Sequence, residues 1–251
     1  MHHPVQIATV SAPQHFNSSS LDAVITAAME VEPTIRQPWQ VIRSANAMRL
    51  AYGLDTCEGF GMDSESCDIE DGPHLIFIVE HQETYLEISL ADVTAATCNI
   101  NGHARFNNLG ENAVLNAASP ANANWIGKIQ NLLHNDISPA TTIPKDKQYT
   151  EIQNTLRNFM ADHELGAEHP ESWDFFRAII LNGDASDSAF QTLHHYMAGA
   201  LGEHENKIRD SINPLYVGAL GAGQRGRHQV LNPKLLDDKP LTNFVPERDE
   251  L

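Results

Sequence analysis

The sequence predicts an α+β fold: a small antiparallel sheet at about 73–106, flanked by helices, with a mostly helical carboxyl-terminal half. Three observations carry this. Helical apolar spacing marks residues 21–31 and 37–52. It gives way to two adjacent β-rich runs, Leu75-Ile76-Phe77-Ile78-Val79 and Tyr85-Leu86-Glu87-Ile88-Ser89-Leu90, and helical spacing returns beyond Glu111.

Taken in order, Val5 to Val10 alternates weakly and reads as an edge strand. Ser18-Ser19-Ser20 offers amino-terminal caps for a helix over 21–31, closed by Pro33. A second helix is expected from Gln37 to Tyr52, with Pro38 in its first turn, a stripe of Trp39, Ile42, Ala45 and Met48, and Gly53 as its stop. Residues 54–72 hold seven acids and three glycines without a period, which predicts a long exposed loop. The polar His81-Gln82-Glu83-Thr84 joins the two β-rich runs as a hairpin, and a third strand near 97–106 is bent at Asn101-Gly102.

The remainder reads as helices. Val114 and Leu115 sit in a short one, and Trp125, Ile129, Leu132 and Leu133 form a stripe on the next. After a linker at 138–147, Tyr149, Ile152, Leu156, Phe159 and Met160 share a face. Pro170 opens a helix carrying Trp173, Phe176 and Ile180, and Phe190, Leu193, Met197 and Leu201 mark another. A last short helix is expected over 203–212. These elements divide the chain into an acidic α+β domain at 1–137, a helical domain or helical extension of the same domain at 138–230, and an extended or disordered tail at 231–251.

With 251 residues, 41% hydrophobic and 20% charged, the chain can bury a core without staples. Its three cysteines, Cys57, Cys67 and Cys98, are too few and too irregular for a disulfide framework or a four-ligand zinc site, and suggest a reducing compartment. No signal peptide or membrane span is read, so a cytoplasmic location is expected, with non-classical delivery as the other route. The final Arg248-Asp249-Glu250-Leu251 looks like a retrieval signal of the endoplasmic reticulum, which acts only after entry to the secretory pathway, and is read as incidental.

Charge is the most informative feature. Net charge is −17, and the fifty-five residues between Arg49 and Arg105 contain eleven carboxylates and no lysine or arginine. Such a chain is repelled by phosphate backbones and anionic membranes, so neither is expected as a direct partner; a basic or amphipathic protein is. Asp63, Glu65, Asp68, Glu70 and Asp71 are the expected contact residues. With only six lysines, halophilic adaptation is the other source of such a balance.

Among candidate chemistries, Asp55-Thr56-Cys57-Glu58-Gly59-Phe60 resembles the Asp-Cys-x-Gly segment of papain-like cell-wall peptidases. That resemblance implies a nucleophilic Cys57 with a histidine partner, of which His74 is the nearest in sequence. The acids at 63–71 lack the spacing of a calcium loop. The histidines of the second half do not converge on a zinc geometry, so neither a metal nor a cofactor is expected. Gly221-Ala222-Gly223-Gln224-Arg225-Gly226 has the form of a dinucleotide fingerprint without the following helix and strand. What it retains is an anion-binding turn using Gly223, Arg225, Gly226 and Arg227.

Two functions follow. The first is an acidic protein-interaction module, effector- or adaptor-like; its order of helix, three strands and helix over 37–135 is similar to that of acidic bacterial secretion chaperones. The second is a small cysteine- or histidine-dependent hydrolase or transferase, in the manner of a delivered bacterial effector.

Overall fold

The computed structural model describes residues 7–63, 65, 67–112, 114–115, 141–142, 145–163 and 174–231. The α+β class is as the sequence predicts, with the antiparallel strands at the centre and helices around them. The first strand β1 (Val10–Ala12) runs parallel to β2 (Val41–Arg43), forming a two-stranded ribbon. Between them lies α1 (Ser18–Val31), whose cap is Asn17 accepting from the Ser20 N–H, one residue ahead of the expected serines.

The helix expected over Gln37–Tyr52 is divided. A 3-10 turn at Pro38–Gln40 leads into β2, and only α2 (Ser44–Ala51) is α-helical. Val41 and Ile42 are β-branched and pair with β1, which overrides the helical stripe.

The main sheet has five strands in the order β5 (Cys98–Phe106), β4 (Leu86–Val93), β3 (Leu75–His81), β8 (Phe176–Asn182), β9 (Ile208–Arg209). The hairpin is β3 (Leu75–His81) with β4 (Leu86–Val93), followed by antiparallel β5 (Cys98–Phe106). The register of β5 slips opposite Leu90 and Ala91, at the expected bend beside Gly102. On the other side of β3 lies β8 (Phe176–Asn182), parallel to it, and beyond that the short β9 (Ile208–Arg209).

Residues 176–180 are therefore strand where a helix was expected. The run Ala178-Ile179-Ile180-Leu181 is buried on both faces, so it has neither the alternation of a half-exposed strand nor the stripe of a surface helix. Likewise β6 (Val114–Leu115) pairs with β7 (Thr141–Thr142) instead of being helical, and 203–212 divides between a 3-10 turn and β9. The stripe expected at 125–133 and the tail beyond 231 lie outside the described residues.

Helices cover both faces of the sheet. Alternate β3 residues Phe77 and Val79 share one core with α3 (Lys145–Asp162) and α4 (Asp187–Leu201), through Tyr149, Ile152, Leu156, Phe159 and Met160 on α3 and Phe190, Leu193, Met197 and Leu201 on α4. Both stripes match the sequence reading. The opposite set, Ile76 and Ile78, packs with Ala178, Ile180, Ala45, Met48, Leu54, Phe60 and Val217 beneath α2 and α5 (Val217–Leu231). No helix among the described residues is long and apolar enough to cross a membrane.

Two close approaches set this geometry. A Cβ on Gly221 of α5 would fall on the carbonyl oxygen of Ala47 in α2, so glycine lets the two helices touch through their backbones. Gly183, at φ +137°, turns the chain after β8 against the His81 carbonyl, where no side chain fits.

Candidate functional site

Alternation along β3 and β4 puts Glu80 and Glu87 on the α2/α5 face, and they are register partners. Both are buried, at 7% and 2% exposure. Adjacent buried carboxylates repel, and each of the two is held by polar side chains around it.

Glu87 lies between two imidazoles. His15, on the loop after β1, places Nδ1 2.9 Å from Oε2, and His103 on β5 places Nε2 3.0 Å from Oε1. The His103 contact has an ion pair's distance without a hydrogen bond's direction, so Oε1 accepts no hydrogen bond. Arg43 fixes the His15 loop by donating through Nη1 to the carbonyls of Gln14 and Phe16, at 2.8 and 2.7 Å.

Glu80 is braced differently. Its Oε1 accepts from Gln82 Nε2 at 2.7 Å and from the Tyr85 hydroxyl at 2.9 Å. Burial pushes the Glu80 pKa up, and the Glu87 carboxylate pushes it further. The Arg105 guanidinium lies 3.7 Å from the centre of the Tyr85 ring, and the His15 ring meets the same ring edge-on at 5.8 Å. The cluster is therefore continuous from His103 to Glu80.

Glu80 also forms part of the wall of a cavity of about 770 Å³. The cavity lies at the carboxyl ends of the parallel strands β3 and β8, with β1 and α5 as its sides and the first residue of α2 at its base. In open α/β sheets this crevice is where ligands are received. Ala8, Ala12, Met48, Ala222 and Val230 make its walls largely apolar. Ser44 Oγ is buried in the lining without a hydrogen-bond partner. Asn182, with Nδ2 donating to the Pro214 carbonyl (3.1 Å) and Oδ1 accepting from the Gly183 N–H (3.3 Å), is fixed at the end of β8. A hydroxyl and a carboxyl with a raised pKa thus line one apolar volume of small-molecule size.

The residues singled out from sequence fall in three places. Cys57 is bonded to Cys67 in a disulfide, contrary to the expectation of free thiols, so its sulfur is not a nucleophile in this state. His74, the partner expected for it, is buried at 2% exposure; its Nδ1 accepts from Arg177 Nε at 3.2 Å and its ring lies against Phe60. Burial lowers the His74 pKa and Arg177 lowers it further. The third cysteine, Cys98, is pushed up to about 12 by burial and holds no thiolate at neutral pH.

Asp63, Glu65, Asp68, Glu70 and Asp71 are all exposed on the loop between α2 and β3. Asp63 and Asp68 accept from the N–H two residues on, and Glu70 Oε1 accepts from the Ala95 N–H at 3.1 Å.

The glycine-rich segment is helical, not an open turn. Its amides lie inside α5, so they do not form an anion-binding nest. Gly223, Gly226 and Arg227 do come together, lining the cavity. Arg225 turns away, with its guanidinium 5.9 Å from the Trp39 ring and its Nε buried without a partner.

The cluster around Glu80 was missed from sequence. Its signal was present in the alternation of the strands, which interrupts an apolar face with Glu80, Glu87 and His103 in neighbouring rows.

Fold and site together define a three-layer α/β/α unit with a carboxylate–histidine cluster at the carboxyl ends of its parallel strands. No protein-family model matches the chain, and no curated protein matches it.

Proposed function

We propose that this protein is a histidine- and carboxylate-dependent hydrolase or transferase acting on a small molecule bound in the cavity. The carrying observation is Glu80: a buried carboxyl whose pKa burial and the neighbouring Glu87 raise, set in the wall of an apolar cavity and held in place by Gln82 and Tyr85. Glu80 serves as general acid, and His15, oriented by Glu87, as the base. Ser44 Oγ holds a polar group of the substrate. The cysteine form of this reading has no support, since Cys57 lies in a disulfide and the Cys98 thiol is pushed up to about 12.

The acid role is tested directly by carboxyl-carbon NMR titration of Glu80. Titration in the ordinary glutamate range ends it. Hydrolysis of a panel of p-nitrophenyl esters then compares wild type with Glu80→Gln and Ser44→Ala. Equal rates in all three remove the cavity from the chemistry.

A second reading rests on a separate observation. Among the described residues no cation pairs with Glu65, Asp68, Glu70 or Asp71, which leaves a one-signed exposed surface. It suits a basic or amphipathic protein, in an effector- or adaptor-like or chaperone-like role within the cytoplasm, away from nucleic acid and membrane. The test is capture from lysate at low and high salt, using wild type and a variant with Asp63, Glu65, Asp68 and Glu70 neutralised. A partner captured equally by both proteins removes the loop from the argument.

A further inference from the structure

The loop between α2 and β3 combines two features that oppose each other. Its exposed carboxylates, Glu58, Asp63, Glu65, Asp68, Glu70 and Asp71, repel one another, yet the Cys57–Cys67 disulfide draws its two sides together across a separation of ten residues. The loop is anchored at its ends. Leu54 and Phe60 are buried in the core beneath α2, Ile69 packs against that core, and Glu70 bonds to the Ala95 N–H. Among the described residues between Gly61 and Asp68, the backbone hydrogen bonds include two local ones: the Met62 N–H donates to the Cys57 carbonyl and the Cys67 N–H to the Asp63 carbonyl, both at 2.9 Å. No apolar anchor on that stretch is fully buried; Met62 and Cys67 are half-buried, with their sulfurs 4.0 Å apart. The disulfide is the strongest link holding the acidic side chains close.

Both half-cystines are partly open to solvent. Cys98 is the other cysteine of the chain; it is half-buried, and desolvation pushes its pKa up to about 12, which disfavours the thiolate that exchange needs.

We propose that the Cys57–Cys67 disulfide is a reversible redox staple, which a dithiol reductant opens to release the acidic loop while the sheet stays folded. The reductant's thiolate attacks one sulfur and expels the other, giving a mixed disulfide. Its second thiol then displaces the remaining sulfur. Two electrons and two protons pass to the chain, leaving thiols at Cys57 and Cys67 and a disulfide on the reductant. The carboxylates also choose the reductant: an anionic monothiol such as glutathione is repelled, and an uncharged dithiol is not. The inference is independent of the cavity's chemistry.

The test uses the full chain. Alkylation with mass-spectrometric readout, after equilibration in oxidised glutathione, should leave Cys57 and Cys67 unlabelled. Dithiothreitol should make both reactive, with the labelling of Cys98 the same before and after reduction. Hydrogen exchange should then show the Met62 and Cys67 amides exchanging on the order of tenfold faster or more in the reduced protein, with β3, β4 and β8 unchanged. The double variant Cys57→Ser/Cys67→Ser should reproduce the reduced pattern without reductant. Dithiothreitol should outpace glutathione by a ratio that falls as salt is added. Free thiols at 57 and 67 under oxidising conditions would overturn the proposal. So would unchanged exchange at Met62 and Cys67, or loosening that spreads through the sheet.

Discussion

Glu80 and Glu87 stand opposite each other in the β3–β4 ladder, buried side by side. The two carboxyls are treated differently, one set between two imidazoles and the other raised in pKa by its burial.

Replacing Glu80 with Gln should stabilise the protein at neutral pH while abolishing any acid catalysis. The folded state raises the Glu80 pKa above its unfolded value. The native state therefore gains relative stability as pH falls through the raised value, and is penalised above it. Gln keeps the oxygen that accepts from Gln82 and Tyr85. Melting temperatures measured across pH should favour the variant at pH 8, with the advantage shrinking toward pH 4. A constant difference would deny the proton linkage.

His81 should make the protein acid-labile. Its ring is 1% exposed, and burial pushes its pKa down to about 4. An unfolded histidine takes a proton near pH 6.5. Stability is therefore complete above that value and is lost as pH falls toward 4, by an amount on the order of 3 kcal/mol. In His81→Leu the loss over this window should be largely absent. Denaturant midpoints at pH 7 and pH 4.5 check it, and an undiminished loss would assign the lability elsewhere.

Two glycines of α5 should answer oppositely to alanine. Gly221→Ala pushes a methyl into the Ala47 carbonyl and should cost about 1–3 kcal/mol, since two backbones must separate. Gly223→Ala meets nothing within 4 Å. It should be neutral or stabilise by up to about 1 kcal/mol through helix propensity. Urea denaturation of the pair measures the contrast; equal effects would mean that α2 and α5 do not touch as described.

Arg49 should be worth more than a surface cation. It is 2% exposed and donates from Nε to Asn46 Oδ1 and from Nη1 to the Thr94 carbonyl, at 2.8 and 2.9 Å. It thereby ties α2 to the turn between β4 and β5. Arg49→Met should cost about 2–4 kcal/mol, because those acceptors lose their donor inside the fold. Faster amide exchange at 95–97 should accompany the loss, and protection unchanged there would place the cost elsewhere.

The parts of this fold legible in the sequence are those whose pattern is local. The stripe from Tyr149 to Met160, the stripe from Phe190 to Leu201, and the hairpin all emerge where expected. What escaped depends on distant partners. Val41 and Ile42 become strand because Val10 and Ser11 lie beside them, and Phe176–Asn182 becomes strand because β3 offers an open edge. The site escaped for the same reason: His15, Glu80, Glu87 and His103 belong to four separate segments. Cys57 stood out because its neighbours in sequence look like a motif, yet its partner is another cysteine ten residues on.

The parallel pairing of β3 with β8 also governs how the chain comes together. Leu75 meets Phe176, so the apolar central strand waits for a partner made roughly a hundred residues later. A ribosome adding residues in order exposes the β3–β4–β5 meander with one flank open until β8 arrives. That flank carries Ile76, Phe77, Ile78 and Val79, a short β-prone run of the kind that seeds intermolecular pairing. Yield during synthesis will therefore depend on how long that edge stands open, and slower elongation between β5 and β8 should divert more of the chain into aggregates.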